Sequence, residues 1–307
     1  MIISASRRTD IPAFYSEWFM NCIRDGFVCV KNPFNTHAIS KVPLTPDLVD
    51  LIVFWTKDPY KFVRNLDELD ERGYKYYFLF TLTPYGKDVE CGLRDKNDII
   101  KTFQELSRRI GKEKVVWRYD PIVLGGEMTV EWHLKKFKEY VELLAEFTES
   151  VVFSFLLEYK KIGKQEFRRP NLSEMKVISQ EFAKIAKENG LKIKSCAEEV
   201  IHANGIEKST CIDKELIERI LGQCVNAARD KCQRKDCQCI ESIDIGEYNS
   251  CLHLCKYCYA NTATEQIKTN CKKHDPKSPL LIGQISEKDK VTDRKIKSFK
   301  SNQISMF

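Results

Sequence analysis

Residues 2–10 read Ile-Ile-Ser-Ala-Ser-Arg-Arg-Thr-Asp, or IISASRRTD. A short β-favouring run stops abruptly in hydroxyls, two arginines and a carboxylate. Runs of this length bounded by polar signals read as strands. The pattern then repeats. Strand-like runs follow at Phe27–Lys31, Leu51–Thr56, Tyr74–Thr83, Lys114–Tyr119, Val151–Leu157, Leu191–Cys196 and, weakened by Glu241 and Asp244, Ile240–Ile245. Helical periodicity fills Ala13–Asp25 and residues 97–110, 129–148 and 172–189, whereas residues 32–50 are too proline-rich for a long helix. Eight strands, mostly with helical crossovers, predict an α/β fold of the (β/α)8 TIM-like barrel type; a doubly wound open sheet is the rival.

The strand ends favour the barrel. Ser6–Asp10 follows the first strand, Asn32-Pro33 the second and Thr56-Lys57-Asp58 the third. Thr81 and Thr83 end the fourth, Arg118-Tyr119-Asp120 the fifth, Glu158-Tyr159 the sixth and Cys196 the seventh. In a barrel all of these share one mouth, where such folds keep their chemistry.

With 307 residues, 43% hydrophobic and 31% charged, the chain can bury one large core or two small ones. No apolar run reaches the ~18 residues that span a bilayer. The opening MIISASRRTDIPAFY puts apolar residues before the arginines, the wrong order for a signal peptide. A cytoplasmic protein with no membrane partner is expected. There, thirteen cysteines, an odd count, argue for metal or thiol chemistry instead of disulfides. Cys22, Cys29 and Cys91 are scattered and read as small buried hydrophobes. The other ten crowd into residues 196–271.

The net charge is +6, and residues 264–307 hold ten Lys/Arg against five Asp/Glu. That basic tail suits either plain solvation or a polyanionic partner. The expected organisation is a barrel over residues 1–262, with a cysteine-rich region at 196–261, followed by a basic, partly disordered extension at 263–307. Within the extension, PLLIGQI at 279–285 is a candidate short element.

Residues 251–261 read CLHLCKYCYAN, a C-x3-C-x2-C spacing. Three thiolates on one loop fit a [4Fe–4S] cluster with one iron left open; the alternative is a zinc knuckle completed by His253 or another cysteine. The spacing resembles the radical S-adenosylmethionine (SAM) superfamily signature C-x3-C-x-aromatic-C, with Tyr257 at the aromatic position. The resemblance implies that Cys251, Cys255 and Cys258 hold the cluster and that SAM chelates the open iron. It further implies that an electron from a donor such as flavodoxin or ferredoxin cleaves SAM to a 5′-deoxyadenosyl radical.

SRRTDIPAFYS, VFWTKDP, YYFLFTLTPYG, VWRYDPI, CAEE, CID and SIDIGEY together resemble one family, known as domain of unknown function family 1848, over nearly all of residues 1–283. That resemblance implies a radical SAM enzyme without an established substrate. The cluster loop follows the last strand instead of the first, so the implied barrel is circularly permuted and Ile2–Ser6 neighbours the cluster. Ser6, Arg7, Arg8 and Asp10 are then expected to bind SAM, an arginine taking the carboxylate and Asp10 the ammonium. A literal Gly125-Gly126-Glu127 past the fifth strand reads as a turn. Cys196, Cys211, Cys237 and Cys239 resemble the family pattern and would complete a second [4Fe–4S] cluster or an all-cysteine zinc site. An unmetallated set is the alternative. Cys224, Cys232 and Cys271 do not match.

The chain ends Gln303-Ile304-Ser305-Met306-Phe307, which resembles the peptide by which bacterial DNA polymerases and repair proteins hook onto the sliding clamp. A nucleic-acid substrate, as in lesion repair, is therefore the first expectation. Lys57, Arg118, Asp120 and Tyr159 are candidate catalytic residues at the mouth, where Lys57, Arg118 and Arg8 would meet phosphates. Tyr119, Tyr159 or Trp55 would stack on a base or relay a radical. A peptide or small-metabolite substrate, or a non-catalytic iron–sulfur or zinc protein, are the alternatives.

Overall fold

A computed structural model describes residues 1–157, 167–196, 206–233 and 237–301. Its main sheet contains β1 (Ile2–Ala5), β4 (Leu51–Thr56), β5 (Tyr76–Thr81), β6 (Val115–Ile122), β7 (Ser150–Phe155), β8 (Lys192–Ser195), β9 (Glu207–Lys208) and β10 (Ile243–Asp244). Their order is β10-β1-β4-β5-β6-β7-β8-β9, with every pairing parallel. Strands β1, β4 and β5 are buried almost throughout. Burial on both faces is why they read as unbroken apolar runs and not as alternating ones.

Helices supply the crossovers that parallel pairing demands. After α1 (Ile11–Phe14) and α2 (Ser16–Asp25) come α3 (Leu66–Glu71), α4 (Lys96–Ile110), α5 (Val130–Leu144), α6 (Leu172–Glu188), α7 (Lys214–Leu221) and α8 (Thr264–Cys271). Local chemistry sets their starts. Asp95 caps α4 and Thr129 caps α5, while Asn171 and Glu174 form a reciprocal capping box on α6.

The closed barrel is not what the pairings show. They run as a strip from β10 to β9, and among the described residues no pair joins those two edges. The architecture is a mixed α/β fold with an eight-stranded parallel sheet and a separate three-stranded one. Phe27–Lys31, counted above as a barrel strand, is β2 (Phe27–Asn32) of that second sheet, antiparallel to β3 (Asn35–Pro43). The physical reason is the link: Pro33-Phe34 is long enough for a hairpin, whereas a parallel neighbour needs a crossover of a dozen residues or so. One expectation about placement does hold. The last main-sheet strand, β10, lies beside β1, so the loop that follows it sits at the end of β1.

Residues 263–301 fold back on this body. Leu280 bridges Cys29, and β11 (Lys290–Asp293) adds to β3 in parallel. Phe299 N–H donates to Asp50 at 2.7 Å. Among the described residues no helix is long and apolar enough to cross a membrane.

A buried histidine behind the sheet gives the fold a pH dependence. His133 is fully buried, with Tyr119 Oη 2.9 Å from Nδ1 and Val123 O 2.8 Å from Nε2. Burial lowers its pKa to about 4. A depressed folded-state pKa means that this stability is complete above the unfolded value of about 6.5 and is lost as pH falls toward 4, on the order of 3 kcal/mol in all. Urea unfolding at pH 7 and pH 4.5 should show a drop in wild type that His133→Gln reduces. Equal drops in both proteins would remove His133 as the cause.

Candidate functional site

At the C-terminal ends of the main-sheet strands lies a cavity of about 420 Å³. All seven predicted ligand cysteines line it: Cys251, Cys255 and Cys258 from the loop after β10, and Cys196, Cys211, Cys237 and Cys239 from the segments before that strand. Ser6, Arg7, Arg8, Asp10, Lys57, Arg118, Asp120 and Tyr257 line it as well. Tyr159 and the Gln303–Phe307 motif lie outside the described residues. The Gly125-Gly126-Glu127 stretch is a turn, closed by Gly125 and Met128 in a two-way backbone pair, and does not border the cavity.

The 251–258 loop is clamped from two sides. Against it lies the segment after β5: Glu90 forms an antiparallel bridge with Cys255, Lys256 N–H donates to Val89 O at 3.0 Å, and Gly92 N–H to His253 O at 2.8 Å. From the other side Asp10 Oδ2 lies 2.7 Å from His253 Nε2. Backbone N–H groups of Ala260 and Asn261 point at the Cys258 sulfur, and that of His253 at Cys251. Burial pushes the Cys251 thiol well above its ordinary pKa, Cys255 up to about 12 and Cys258 up. Buried thiols of this kind give up their protons when a metal takes the thiolate.

Asp10 is more committed than expected. Its Oδ1 caps α1 by accepting Ala13 N–H at 2.9 Å, and Oδ2 accepts Thr56 Oγ1 at 3.1 Å and Lys57 N–H at 2.7 Å besides His253. With Nε2–H given to Asp10, a neutral His253 ring leaves Nδ1 as an acceptor; that atom is buried and unpartnered. Ser6 Oγ donates to Asp244 at 2.6 Å, and Arg8 Nη1 to Gly246 O at 3.3 Å with its guanidinium 5.3 Å from the Tyr248 ring. Arg7 differs: its Nη2 is buried with no hydrogen-bond partner.

Two residues that sequence reasoning missed hold this arrangement together. Asp244 accepts Ser4 Oγ, Ser6 Oγ, Arg7 N–H and Gly246 N–H, and so pins β10 to the end of β1. Glu90, with its side chain wholly buried, accepts Lys57 Nζ at 2.7 Å, Thr83 Oγ1 at 2.9 Å, the Tyr257 hydroxyl and Lys96 Nζ. Burial alone would push its carboxyl up; Lys57 and Lys96 outweigh that and hold it at about 2.

The other four cysteines form a second group. Cys196 Sγ and Cys211 Sγ stand 3.9 Å apart, and Cys239 Sγ accepts N–H groups from Cys211 at 3.2 Å and Ile212 at 3.4 Å. Arg118 Nη1 points at Cys211 Sγ from 2.9 Å. Hydrogen bonds from Cys196 and Cys239, with Arg118 and Arg7 close by, hold Cys211 well below the ordinary thiol value. Hydrogen bonding to Cys239 likewise lowers Cys237, to about 6. Arg7 and Arg118 each stand 5.3 Å from the centroid of the Trp55 ring. Arg118 also donates to Asp120, which Ser154 Oγ holds from the other side.

Among the described residues no three His, Cys, Asp or Glu side chains are arranged to hold one metal ion. A tetrahedral zinc site with bonds of about 2.3 Å needs four sulfurs roughly 3.8 Å apart; Cys196 Sγ and Cys211 Sγ stand at that spacing. A cubane asks for something else, because each thiolate binds a different iron. Three loop thiols lining one cavity, with N–H groups directed at the Cys251 and Cys258 sulfurs, fit that demand.

The family described as "Domain of unknown function (DUF1848)" matches residues 2–260. The chain belongs to the DUF1848 family. Its match spans β1 through the 251–258 loop and so takes in both cysteine groups of the DUF1848 cavity. No curated protein matches the chain. Among solved structures, a "putative alpha-L-fucosidase" from Bacteroides thetaiotaomicron VPI-5482 is 11% identical with a TM-score of 0.23, over 56% of this chain and 72% of that one. The C-terminal domain of a "putative chitinase" from Desulfitobacterium hafniense DCB-2 is 6% identical with a TM-score of 0.23, over 76% of this chain and 55% of that one. Overlaps this slight define no common fold.

Proposed function

We propose that this DUF1848 protein is a radical SAM enzyme. Cys251, Cys255 and Cys258 would hold a [4Fe–4S] cluster with one open iron, and Cys196, Cys211, Cys237 and Cys239 a second iron–sulfur centre. The observation that carries the reading is the opening of both cysteine groups on one cavity at the strand ends. When bound, the open cluster supplies the electron that breaks a carbon–sulfur bond of the SAM sulfonium.

The chain's own residues bind and orient. Arg7, with its unpartnered Nη2, is the arginine available for the SAM carboxylate, whereas Arg8 is engaged by Gly246 and Tyr248. His253 Nδ1 is the acceptor available for the amino group, held in place by Asp10. Asp10 thus acts through the histidine instead of touching the ammonium. Near the second group, the guanidiniums of Arg7 and Arg118 offset the negative charge that four thiolates bring.

The cavity's contents favour a small molecule or a peptide side chain over a nucleic-acid backbone. Lys57 is tied to Glu90, Arg118 to Asp120 and Cys211, and Arg8 to Gly246 in the loop after β10, so none of the three is left for phosphates. About 420 Å³ also suits a small-molecule site.

Anaerobic reconstitution with iron and sulfide should load about eight irons per chain, and SAM with dithionite should then yield 5′-deoxyadenosine. Cys255→Ala should retain about four irons and lose 5′-deoxyadenosine at least 100-fold, because one cluster loses a ligand. Zinc in place of iron, or no 5′-deoxyadenosine from the loaded wild type, would overturn the proposal.

A further inference from the structure

The buried charges around Glu90 have more positive than negative members. One carboxylate, its side chain 0% exposed, is met by two ammonium groups whose side chains are 13% and 22% exposed, those of Lys57 and Lys96. One lysine would neutralise it. Desolvating a second cation is unfavourable unless something else nearby is negative. The neighbour is Cys255: Glu90 pairs with it through the backbone, and the Lys57 ammonium also sits 5.5 Å from the ring centroid of Tyr257, two residues on. Electrostatic influence on Cys255 reaches it from Lys57 and Glu90, with opposite signs.

We propose that Glu90 is a positioning residue for the 251–258 loop and that, with Lys57 and Lys96, it places a net single positive charge beside the Cys255 ligand. The proposal rests on the cluster reading above. Glu90 acts through others. Its carboxylate joins the end of β4 (Lys57), the segment after β5 (Thr83), the start of α4 (Lys96) and the cysteine loop (Tyr257) at one buried point. The charge has a chemical consequence. Reduction adds an electron to an already anionic thiolate-ligated cluster, and net charge around such a cluster is one determinant of its potential. A fixed positive charge beside Cys255 therefore makes reduction easier.

Two arms test this on the full chain. In anaerobically reconstituted protein, the midpoint potential is followed by electron paramagnetic resonance on the signal that Cys255→Ala removes. Glu90→Gln raises the local charge by one and should shift the potential upward. Lys96→Met lowers that charge by one and should shift it downward. Shifts of the same sign, or none, overturn the charge assignment, since a purely structural role gives no opposed pair. In metal-free protein, hydrogen exchange at the Lys256 and Gly92 amides reports the clamp directly. Glu90→Ala should speed both at least tenfold, with Glu90→Gln between it and wild type, and unchanged protection overturns the anchoring role. If the wild type takes up no iron, the cluster reading fails by itself, and the exchange arm still judges Glu90.

Discussion

Asp10→Ala is expected to lower the unfolding free energy by about 3–5 kcal/mol, the range for removing one partner of a buried, hydrogen-bonded charge. Four donors converge on this carboxylate from three segments far apart in the chain: Ala13, Thr56 with Lys57, and His253. Alanine leaves the Lys57 N–H and the His253 Nε2 facing an apolar methyl, and removes the cap of α1. Asn is the informative control. Its oxygen can still cap α1, worth about 1 kcal/mol, but its amide group sets N–H against N–H at Lys57 or His253. Denaturant titrations should therefore rank wild type above Asp10→Asn, and Asp10→Asn above Asp10→Ala. A loss below about 1 kcal/mol for alanine would mean that the carboxylate is not the hub its geometry describes. A second readout follows from position: His253 lies between Cys251 and Cys255, so the same variant should hold less iron after reconstitution.

What the sequence made legible was local. Helix α6 spans Leu172–Glu188 against a reading of 172–189, because its periodicity and its Asn171–Glu174 capping box are written within a few residues. The β-favouring runs of β4 and β5 were found for the same reason. The hairpin of β2 and β3 was missed because prolines in residues 32–50 argued only against helix, and not for a strand. Barrel closure was over-read. It depends on edge pairing, and the edge strands β9 and β10 are two residues each, too short to carry a pattern.

The candidate site divides in the same way. Cysteine spacing and most of the polar strand ends pointed to residues that do meet at one cavity; Asn32 and Pro33, at the hairpin of the second sheet, do not line it. The residues that hold them there were invisible. Glu90 reaches Tyr257 across 167 positions, Asp244 reaches Ser6 across 238, and Asp10 reaches His253 across 243. No periodicity encodes such pairs. Asp244 even counted against its own strand, although its carboxylate is what fixes β10 to β1.

Gly92→Ala tests the same clamp from the backbone side and should cost about 3 kcal/mol, at the upper end of overpacking penalties. Surface-loop substitutions usually stay within about 0.5 kcal/mol, and Gly92 is an exposed loop residue with no need of a left-handed conformation. Space decides here. A methyl at this position would lie 2.1 Å from Leu252 O and 2.9 Å from His253 Cα. Both obstacles are backbone, so no side-chain rotation relieves the clash, and either this segment or the cysteine loop must move. Movement breaks the Gly92–His253 hydrogen bond and strains the adjoining Glu90–Cys255 bridge. The variant should accordingly unfold at lower denaturant and lose iron from the 251–258 loop, while Cys196, Cys211, Cys237 and Cys239 keep theirs. Gly73→Ala is the matched control: its φ of 84° is strained for alanine but nothing lies within 4 Å, so it should lower stability by about 1 kcal/mol with full iron loading. If both glycine variants bind iron like wild type, the segment after β5 does not hold the cysteine loop in place.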